Sequence, residues 1–375
     1  MWRRVWSITA IPIASIVLAL VVGAILIMAS SVILVGEFDP RLPLDAYSAL
    51  LEGGLGIGSP EPLNAITSSL VNAAPLLLAG LSVALGFKAG LFNIGATGQF
   101  VMGGFVACVA GAAVADQPPL LAIPVALIAG AAAGAFYGFI PGLLKAFTGA
   151  HEVVTTIMLN YIATFIVSTL IIGVFRAPGF TFDRTASVGN AALPVLFGRD
   201  LNLGVVLALV FVPLVTWLIW RTTIGFEIRT VGANPSAARY AGMSPRRMII
   251  LTMSLCGMLA GIAGSITFLG EIGYFPGTYG TSVGFDAIAV ALLGRAHPVG
   301  VMFGALLFGV MRAGAPLMQI RADIPVEIID VLQAIILFFL AADILVRRFL
   351  RIRGERLGVD ELQTVTRTYG DQAVR

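Results

Sequence analysis

Long apolar segments recur along this chain and constrain its fold more than any other feature. Runs of roughly 20 apolar residues, the length that crosses a bilayer as an α-helix, alternate with shorter polar connections. Charged residues make up 11% of the sequence, against about 25% in soluble domains. A transmembrane barrel would instead show alternating segments of about 10 residues. We therefore predict an all-α polytopic membrane protein.

The apolar segments predict about ten transmembrane helices, some of them broken or half-length. The predicted spans are 11–34, 65–87, 94–115, 120–142, 153–174, 203–220, 248–269, 283–294, 298–314 and 326–346. The first apolar run is too long for the core of a cleaved signal peptide, so we predict an uncleaved first span. The glycine-rich stretch 86–98 predicts irregular backbone, which membrane proteins tolerate only where protein or water covers it.

Basic residues near the span ends predict the orientation. Most lie on one side of the predicted membrane, which is then the cytoplasmic side, together with both termini. The opposite side carries Arg41, Arg176, Arg184, Arg199 and Arg321. The acidic segment 37–61 and the segment 176–200 are therefore predicted to be extracytoplasmic.

Three regions are predicted from this topology. Residues 1–62 form a first helix and an extracytoplasmic segment, 63–346 form the transmembrane domain, and 347–375 form a cytoplasmic tail. Gly-Phe followed by apolar residues and glycines occurs in both halves of the transmembrane domain, as in the internal repeats of transporters.

A polar, arginine-rich loop at 221–247 interrupts the apolar spans. Within it Asn234 is a suitable N-cap, Pro235 suits the first helical position, and Gly242 suits the residue just past the helix end. The enclosed helix has about two turns and small side chains, and a helix this short is unstable alone. The loop therefore predicts a partner protein in the cytoplasm.

Polar side chains inside the spans are candidates for a ligand pathway, because polar groups in lipid normally face the bundle interior or water. Asn93, Thr97 and Gln99 cluster in FNIGATGQF, and Asn160 lies in the middle of a later span. The first three could bind a neutral sugar or nucleoside, or hydrogen-bond across helices and shape a broken helix. Asn160 could line the pathway or serve in packing. Asp286 could complement a helix N-terminus or contact a ligand.

Other charged residues in the spans are expected to have structural functions. Glu152 opens a span on the cytoplasmic side, where a carboxylate suits a helix N-terminus. Arg312 is predicted to pair with Glu327 or Asp330 of the last span, because all three are expected at similar depth.

The sequence gives little support for enzyme or metal chemistry. Cys108 and Cys256 lie in apolar runs and are expected in the core, and His151 and His297 do not have metal-ligand spacing. Serine-elbow, HExxH and P-loop motifs are absent from the sequence. If transport needs ATP, another chain must bind it.

Four motifs within residues 65–346 together resemble a known family. They are Gly90-Leu-Phe-Asn-Ile-Gly-Ala-Thr-Gly-Gln99, His151-Glu-Val-Val-Thr-Thr-Ile-Met-Leu-Asn-Tyr161, Val231-Gly-Ala-Asn-Pro-Ser-Ala-Ala-Arg-Tyr-Ala-Gly242 and Gly284-Phe-Asp-Ala-Ile-Ala-Val-Ala-Leu-Leu-Gly294. The chain resembles the permease subunits of ABC importers of the branched-chain amino acid, ribose and nucleoside class. It looks closest to permeases for nucleosides and simple sugars that work with BMP-type binding proteins.

The resemblance implies a transport complex in the bacterial cytoplasmic (inner) membrane that works by alternating access. The implied partners are a second permease subunit, a cytoplasmic ABC ATPase that binds ATP and Mg²⁺, an extracytoplasmic substrate-binding protein and the lipid bilayer, with no nucleic acid. Residues 232–242 correspond to the coupling helix that contacts the ATPase. The implied coupling residues are Gly232, Asn234, Pro235, Ala237, Ala238, Arg239, Tyr240 and Gly242.

Two residues depart from the family pattern. Thr97 replaces an acidic residue that is frequent in this motif, and His151 stands where asparagine is common. The first departure bears on the substrate, which could also be ribose, a branched-chain amino acid or another small metabolite. An ion-coupled secondary transporter is a further alternative, although it would need carboxylates near the membrane midplane, and most acidic residues here lie near span ends.

Overall fold

The computed structural model of the chain describes residues 14–29, 39–277, 279–280 and 282–341. Its helices are α1 (Ala14–Ala29), α2 (Leu42–Leu55), α3 (Pro62–Lys88), α4 (Ala96–Ala113), α5 (Pro119–Thr148), α6 (Glu152–Gly173), α7 (Leu203–Arg221), α8 (Thr223–Ala233), α9 (Pro235–Tyr240), α10 (Pro245–Thr267), α11 (Val283–Leu293), α12 (Pro298–Ala322) and α13 (Glu327–Ala341). The short strands β1 (Val195–Phe197) and β2 (Leu201–Asn202) pair in antiparallel fashion.

Seven of the described helices are long and apolar enough to cross a membrane: α3, α4, α5, α6, α7, α10 and α12. The predicted all-α polytopic membrane fold is therefore confirmed. The N-terminal residues 1–13, the end of the predicted last span and the tail 347–375 lie outside the described residues. The cytoplasmic placement of the termini and the three predicted regions stay predictions.

Two spans form the centre of the bundle. The apolar windows of α3 and α10 are 83% and 72% buried, whereas the corresponding window of α6 is only 22% buried. Small residues permit the closest approach between spans, because their backbones can touch. A Cβ added at Gly134 of α5 would lie 2.3 Å from the carbonyl oxygen of Gly257 in α10.

Irregular backbone occurs where the glycine-rich sequence predicts it. Helix α3 ends at Lys88 and α4 begins at Ala96, so residues 89–95 connect two spans without helical structure. Gly90 has a φ of +68°, which favours glycine, and Asn93 is fully buried. The predicted short span is also confirmed, because α11 has 11 residues.

The sequence did not predict α2, α8 or the full length of α12. Helix α2 lies in the acidic segment expected to be extracytoplasmic, and it packs closely on α12, where Glu52 pairs with Arg321. Helix α12 continues to Ala322, well beyond the predicted end at 314, because Pro316 is accommodated inside the helix.

Candidate functional site

Helix α9 has the predicted capping at both ends. The Asn234 side chain accepts hydrogen bonds from the backbone N–H groups of Ser236 and Ala237, both at 3.0 Å. At the other end Gly242 has a φ of +81°, and the N–H of Met243 donates to the carbonyl of Ala238 at 3.0 Å. Together with the bond from the Gly242 N–H to the Arg239 carbonyl, this is a Schellman motif.

The two alanines of α9 that are proposed for coupling differ in their exposure to solvent. Ala238 is fully buried within this chain, whereas Ala237 and Arg239 are exposed and Tyr240 is 96% exposed. A short helix that leaves an aromatic ring in solvent offers a contact surface for another protein. Ala237, Arg239 and Tyr240 are therefore available to a partner, and Ala238 holds α9 against its own chain.

Helix α8 precedes α9 and was missed in the polar loop. Thr222 caps it by accepting a hydrogen bond from the Gly225 N–H at 3.0 Å, and Ile228 and Val231 are buried. The sequence contains the signal for this helix, because a threonine suited to the N-cap is followed by apolar residues at helical spacing. A cleft of about 450 Å³ lies between α8 and the turn from α9 into α10.

The end of α8 lies against the connection between α3 and α4. A Cβ added at Gly232 would lie 2.3 Å from the Lys88 carbonyl oxygen, and Gly90 approaches the Gly232 backbone in turn. Glycine is needed here because two backbones touch. The predicted coupling segment thus contacts the backbone that leads directly to Asn93.

Four polar side chains, which we call the amide cluster, surround the start of α4: Ser82, Asn93, Gln99 and Asn160. Asn93 and Gln99 exchange amide hydrogen bonds at 2.9 and 3.2 Å, and the Ser82 hydroxyl donates to the Cys256 carbonyl at 2.7 Å. Asn160 accepts from the Gly98 N–H at 2.8 Å and donates to the Ile94 carbonyl at 3.0 Å. The bonds made by Asn160 give hydrogen-bond partners to a carbonyl of the irregular segment 89–95 and to an N–H group in the first turn of α4, which has no partner within the helix.

Three of the predicted pathway residues therefore have partners within the chain, namely Asn93, Gln99 and Asn160. The Thr97 hydroxyl has no hydrogen-bond partner among the described residues and contacts Gly284 at the start of α11. The structure brings these four residues together around the start of α4 and places Asp286 elsewhere. Their assignment to the translocation pathway stays a prediction.

Asp286 pairs with Arg312 of α12, so the predicted pairing of Arg312 with Glu327 or Asp330 is wrong. Ser282 joins the pair, because its hydroxyl donates to Asp286 at 2.6 Å and accepts from Arg312 at 3.0 Å. The short helix α11 packs against both α12 and α13 and presents the nearer carboxylate to the guanidinium. Asp330 still lies within electrostatic reach of Asp286.

The structure also locates the remaining residues that the sequence analysis singled out. Glu152 opens α6 as expected and pairs with Lys145 at 2.5 Å. Burial and the nearby charge of Lys88 lower the pKa of His297 below its ordinary value. Both cysteines are free and buried, in agreement with a core position. Among the described residues no group of His, Cys, Asp and Glu could hold a metal ion.

Comparison with known proteins agrees with this architecture. The chain is similar to the guanosine ABC transporter permease protein NupP of Bacillus subtilis, with 38% identity over 90% of this chain and 94% of NupP. It is 32% identical to the glucose ABC transporter permease protein TsgB13 of Haloferax volcanii, over 92% of this chain and 90% of the relative. A second guanosine permease of Bacillus subtilis, NupQ, is 27% identical over 65% of this chain and 79% of NupQ.

No solved structure matches the chain. The family model for the permease component of the branched-chain amino acid transport system matches residues 65–341. This range contains the amide cluster, α9 and the seven membrane-length helices except for the first three residues of α3. The chain therefore belongs to the family of branched-chain amino acid transport system permease components.

Proposed function

We propose that the chain is a permease subunit of an ATP-driven ABC importer that carries nucleosides or related simple sugars by alternating access. The names of NupP, a guanosine permease, and of TsgB13, a glucose permease, support this substrate class. Ribose, branched-chain amino acids and other small metabolites are the alternatives within the same class. The proposed location is the cytoplasmic membrane of a bacterium, with residues 63–346 as the transmembrane domain.

The proposed complex contains partners that supply what this chain lacks. ATP and Mg²⁺ bind in a separate cytoplasmic ATPase, and an extracytoplasmic binding protein delivers the substrate. The second permease subunit is proposed to be a different chain, because Bacillus subtilis has two guanosine permeases and this chain resembles NupP over a much greater length than NupQ. The permease itself performs no catalysis.

The observation that carries the coupling proposal is the geometry of α9. It is a capped six-residue helix with exposed Ala237 and Tyr240, and it is too short to be stable without tertiary contacts. We propose that the exposed coupling residues of segment 232–242, among them Ala237, Arg239 and Tyr240, dock on the ATPase, while Ala238 holds α9 against its own chain. Movement of the docked segment would be passed to the connection between α3 and α4 at Gly232, because the Gly232 backbone touches the backbone of Lys88 and Gly90.

The same contacts continue toward the centre of the protein. The segment 89–95 is fixed by the amide cluster to the start of α4, where Thr97 contacts Gly284 of α11. Packed elements of this kind can transmit a displacement if they have two arrangements. In the proposed mechanism, closure of the ATPases shifts α8 and α9, and the start of α4 moves against α11.

Reconstituted transport tests the proposal. The two permeases, the ATPase and the binding protein are placed in vesicles, and uptake of radiolabelled guanosine is measured with enclosed ATP. We expect uptake that requires ATP and survives a proton uncoupler, and that stops when the ATPase is inactivated. Uptake that follows a proton gradient without ATP would instead indicate a secondary transporter.

A further inference from the structure

The outer surface of the helix bundle has two chemically different lateral faces. On α5, α6 and α7 the exposed side chains are mostly large and apolar, including Ile128, Phe136, Phe165 and Trp217. The charged residues of these three helices are confined to their inner ends: Lys145, Glu152 and Arg221. Such a face suits contact with lipid.

The second face, which we call the polar face, contains Ser68, Asp200, Glu271, Ser282, Asp286 and Arg312. The Ser68 hydroxyl donates to Asp200 at 2.8 Å, and Glu271 lies within electrostatic reach of both Asp200 and Arg312. The side chains of Arg312 and Asp286 remain 22% and 13% exposed. Arg312 lies about 21 Å along α12 from its inner end, within the ~30 Å thickness of a bilayer core.

Lipid cannot cover this polar face at low cost, because exposed ionised groups at membrane depth need water or a protein partner. The charges on the face are also unbalanced. Glu271 and Asp286 lie near the guanidinium of Arg312, Asp200 lies near Glu271, and Asp330 adds a further carboxylate near Asp286. With Asp286 paired to Arg312, the carboxylates of Asp200 and Asp330 leave excess negative charge at this face even when Glu271 is protonated.

An aromatic ring borders the same face. Tyr279 is partly exposed and packs edge-on against the buried Phe268, with ring centroids 4.8 Å apart. Its hydroxyl-bearing ring lies within electrostatic reach of Glu271 and Arg312. Carboxylates accept hydrogen bonds from sugar hydroxyls, and an aromatic ring offers a stacking surface for a base or a sugar face.

We propose that the polar face is this subunit's wall of the water-filled outer vestibule, completed by the second permease subunit. The proposal rests on the proposed function and narrows its substrate class to neutral, polyhydroxylated molecules. Nucleosides and simple sugars fit hydroxyl-binding carboxylates next to Tyr279. Nucleotides and other anions are repelled by the excess negative charge of Asp200 and Asp330.

Cysteine labelling tests the face without depending on transport. Ser282→Cys and Asn72→Cys are made separately in the full complex, and the buried native cysteines give a low background. Asn72 is a partly exposed residue one turn from Ser68 on α3. Phe136→Cys on the apolar face and Asp116→Cys in the exposed α4–α5 loop are the controls. Membrane-impermeant thiosulfonate reagents, one cationic and one anionic, are applied from outside.

We expect both polar-face cysteines to react. The ratio of the cationic reagent's rate to the anionic reagent's rate should be at least about threefold higher there than at Asp116→Cys, because a negative potential concentrates cations. Phe136→Cys should react with neither reagent. Loss of reaction at both Ser282→Cys and Asn72→Cys, or a ratio equal to that at Asp116→Cys, would overturn the proposal. If the complex shows the expected labelling but no ATP-driven uptake, the vestibule proposal stands and only the proposed function is refuted.

The substrate class is tested in the same vesicles through Glu271→Gln. We expect guanosine uptake to fall about tenfold, while ATPase activity stimulated by the loaded binding protein stays within about twofold. Asp116→Asn, the matched change outside the polar face, should leave both unchanged. Normal uptake by Glu271→Gln, or an equal loss of uptake and ATPase activity, would contradict a substrate-binding function of this carboxylate.

Discussion

The amide cluster and the polar face are both polar regions of an apolar protein, and they differ in how their hydrogen bonds are satisfied. In the amide cluster, Asn93 and Gln99 are buried and pair with each other, and Asn160 pairs with backbone groups. On the polar face, Arg312 and Asp286 form an ion pair that remains partly exposed. The amides bind one another and the backbone inside the protein, whereas the ionised groups are partly exposed at its surface.

This difference separates stability from transport. A neutral amide can replace missing helix bonds without the cost of burying a charge, so the amide cluster suits irregular backbone such as residues 89–95. Ionised groups that retain water are less costly and can meet a passing ligand. We therefore expect changes in the amide cluster to unfold the protein and changes on the polar face to impair uptake.

The largest effect on stability is expected for Asn160→Leu. It leaves the Gly98 N–H and the Ile94 carbonyl without a partner, at about 1–3 kcal/mol each, so the free energy of unfolding should fall by roughly 2–6 kcal/mol. Thermal unfolding in detergent measures this loss. Tyr161→Leu, at an exposed position on the same helix, should change it by less than about 0.5 kcal/mol. Equal losses for both variants would contradict the structural function of Asn160.

A smaller loss is expected for Ser82→Ala. This change removes the bond to the Cys256 carbonyl and one neighbour of Asn93, and should cost about 1–3 kcal/mol. The matched variant is Ser254→Ala, because the Ser254 hydroxyl donates only to Ile250 in its own helix. The unfolding free energies of both variants are compared by thermal unfolding in detergent. If Ser82→Ala costs no more than Ser254→Ala, the hydrogen bond between α3 and α10 is dispensable for stability.

The smallest effect on stability is expected on the polar face, for Arg312→Gln. Because the pair with Asp286 keeps access to water, its loss should cost no more than about 1 kcal/mol. Guanosine uptake should nevertheless fall at least about fivefold. A loss of 3–5 kcal/mol, the cost of breaking a buried pair, would mean that this face is dry and would remove the contrast with the amide cluster.

Much of the fold follows from local sequence signals. The caps of α9 were predicted because Asn234, Pro235 and Gly242 each have one favourable position in a helix terminus. The short α11 and the irregular 89–95 were likewise indicated by length and glycine content. These features depend on residues close in sequence, so a single chain suffices to predict them.

The errors concern contacts between distant elements. The partner of Arg312 depends on how α11 packs beside α12, which hydropathy does not specify. Helix α2 was hidden because Asp45 and Glu52 made its segment look like an exposed loop, although Glu52 pairs with Arg321. For the amides at 93, 99 and 160 the sequence left a ligand pathway and a structural function as alternatives, and only the structure shows that all three bond within the chain.

The central claim, that ATP hydrolysis elsewhere drives this chain through α9, is tested most directly by Ala237→Glu. Ala237 is exposed on α9, so a bulky charge should spoil docking of the ATPase while leaving the fold intact. We predict that guanosine uptake in ATP-loaded vesicles falls at least about a hundredfold with an unchanged unfolding temperature, and that Ala237→Ser retains uptake within about twofold. Wild-type uptake by Ala237→Glu would contradict the account.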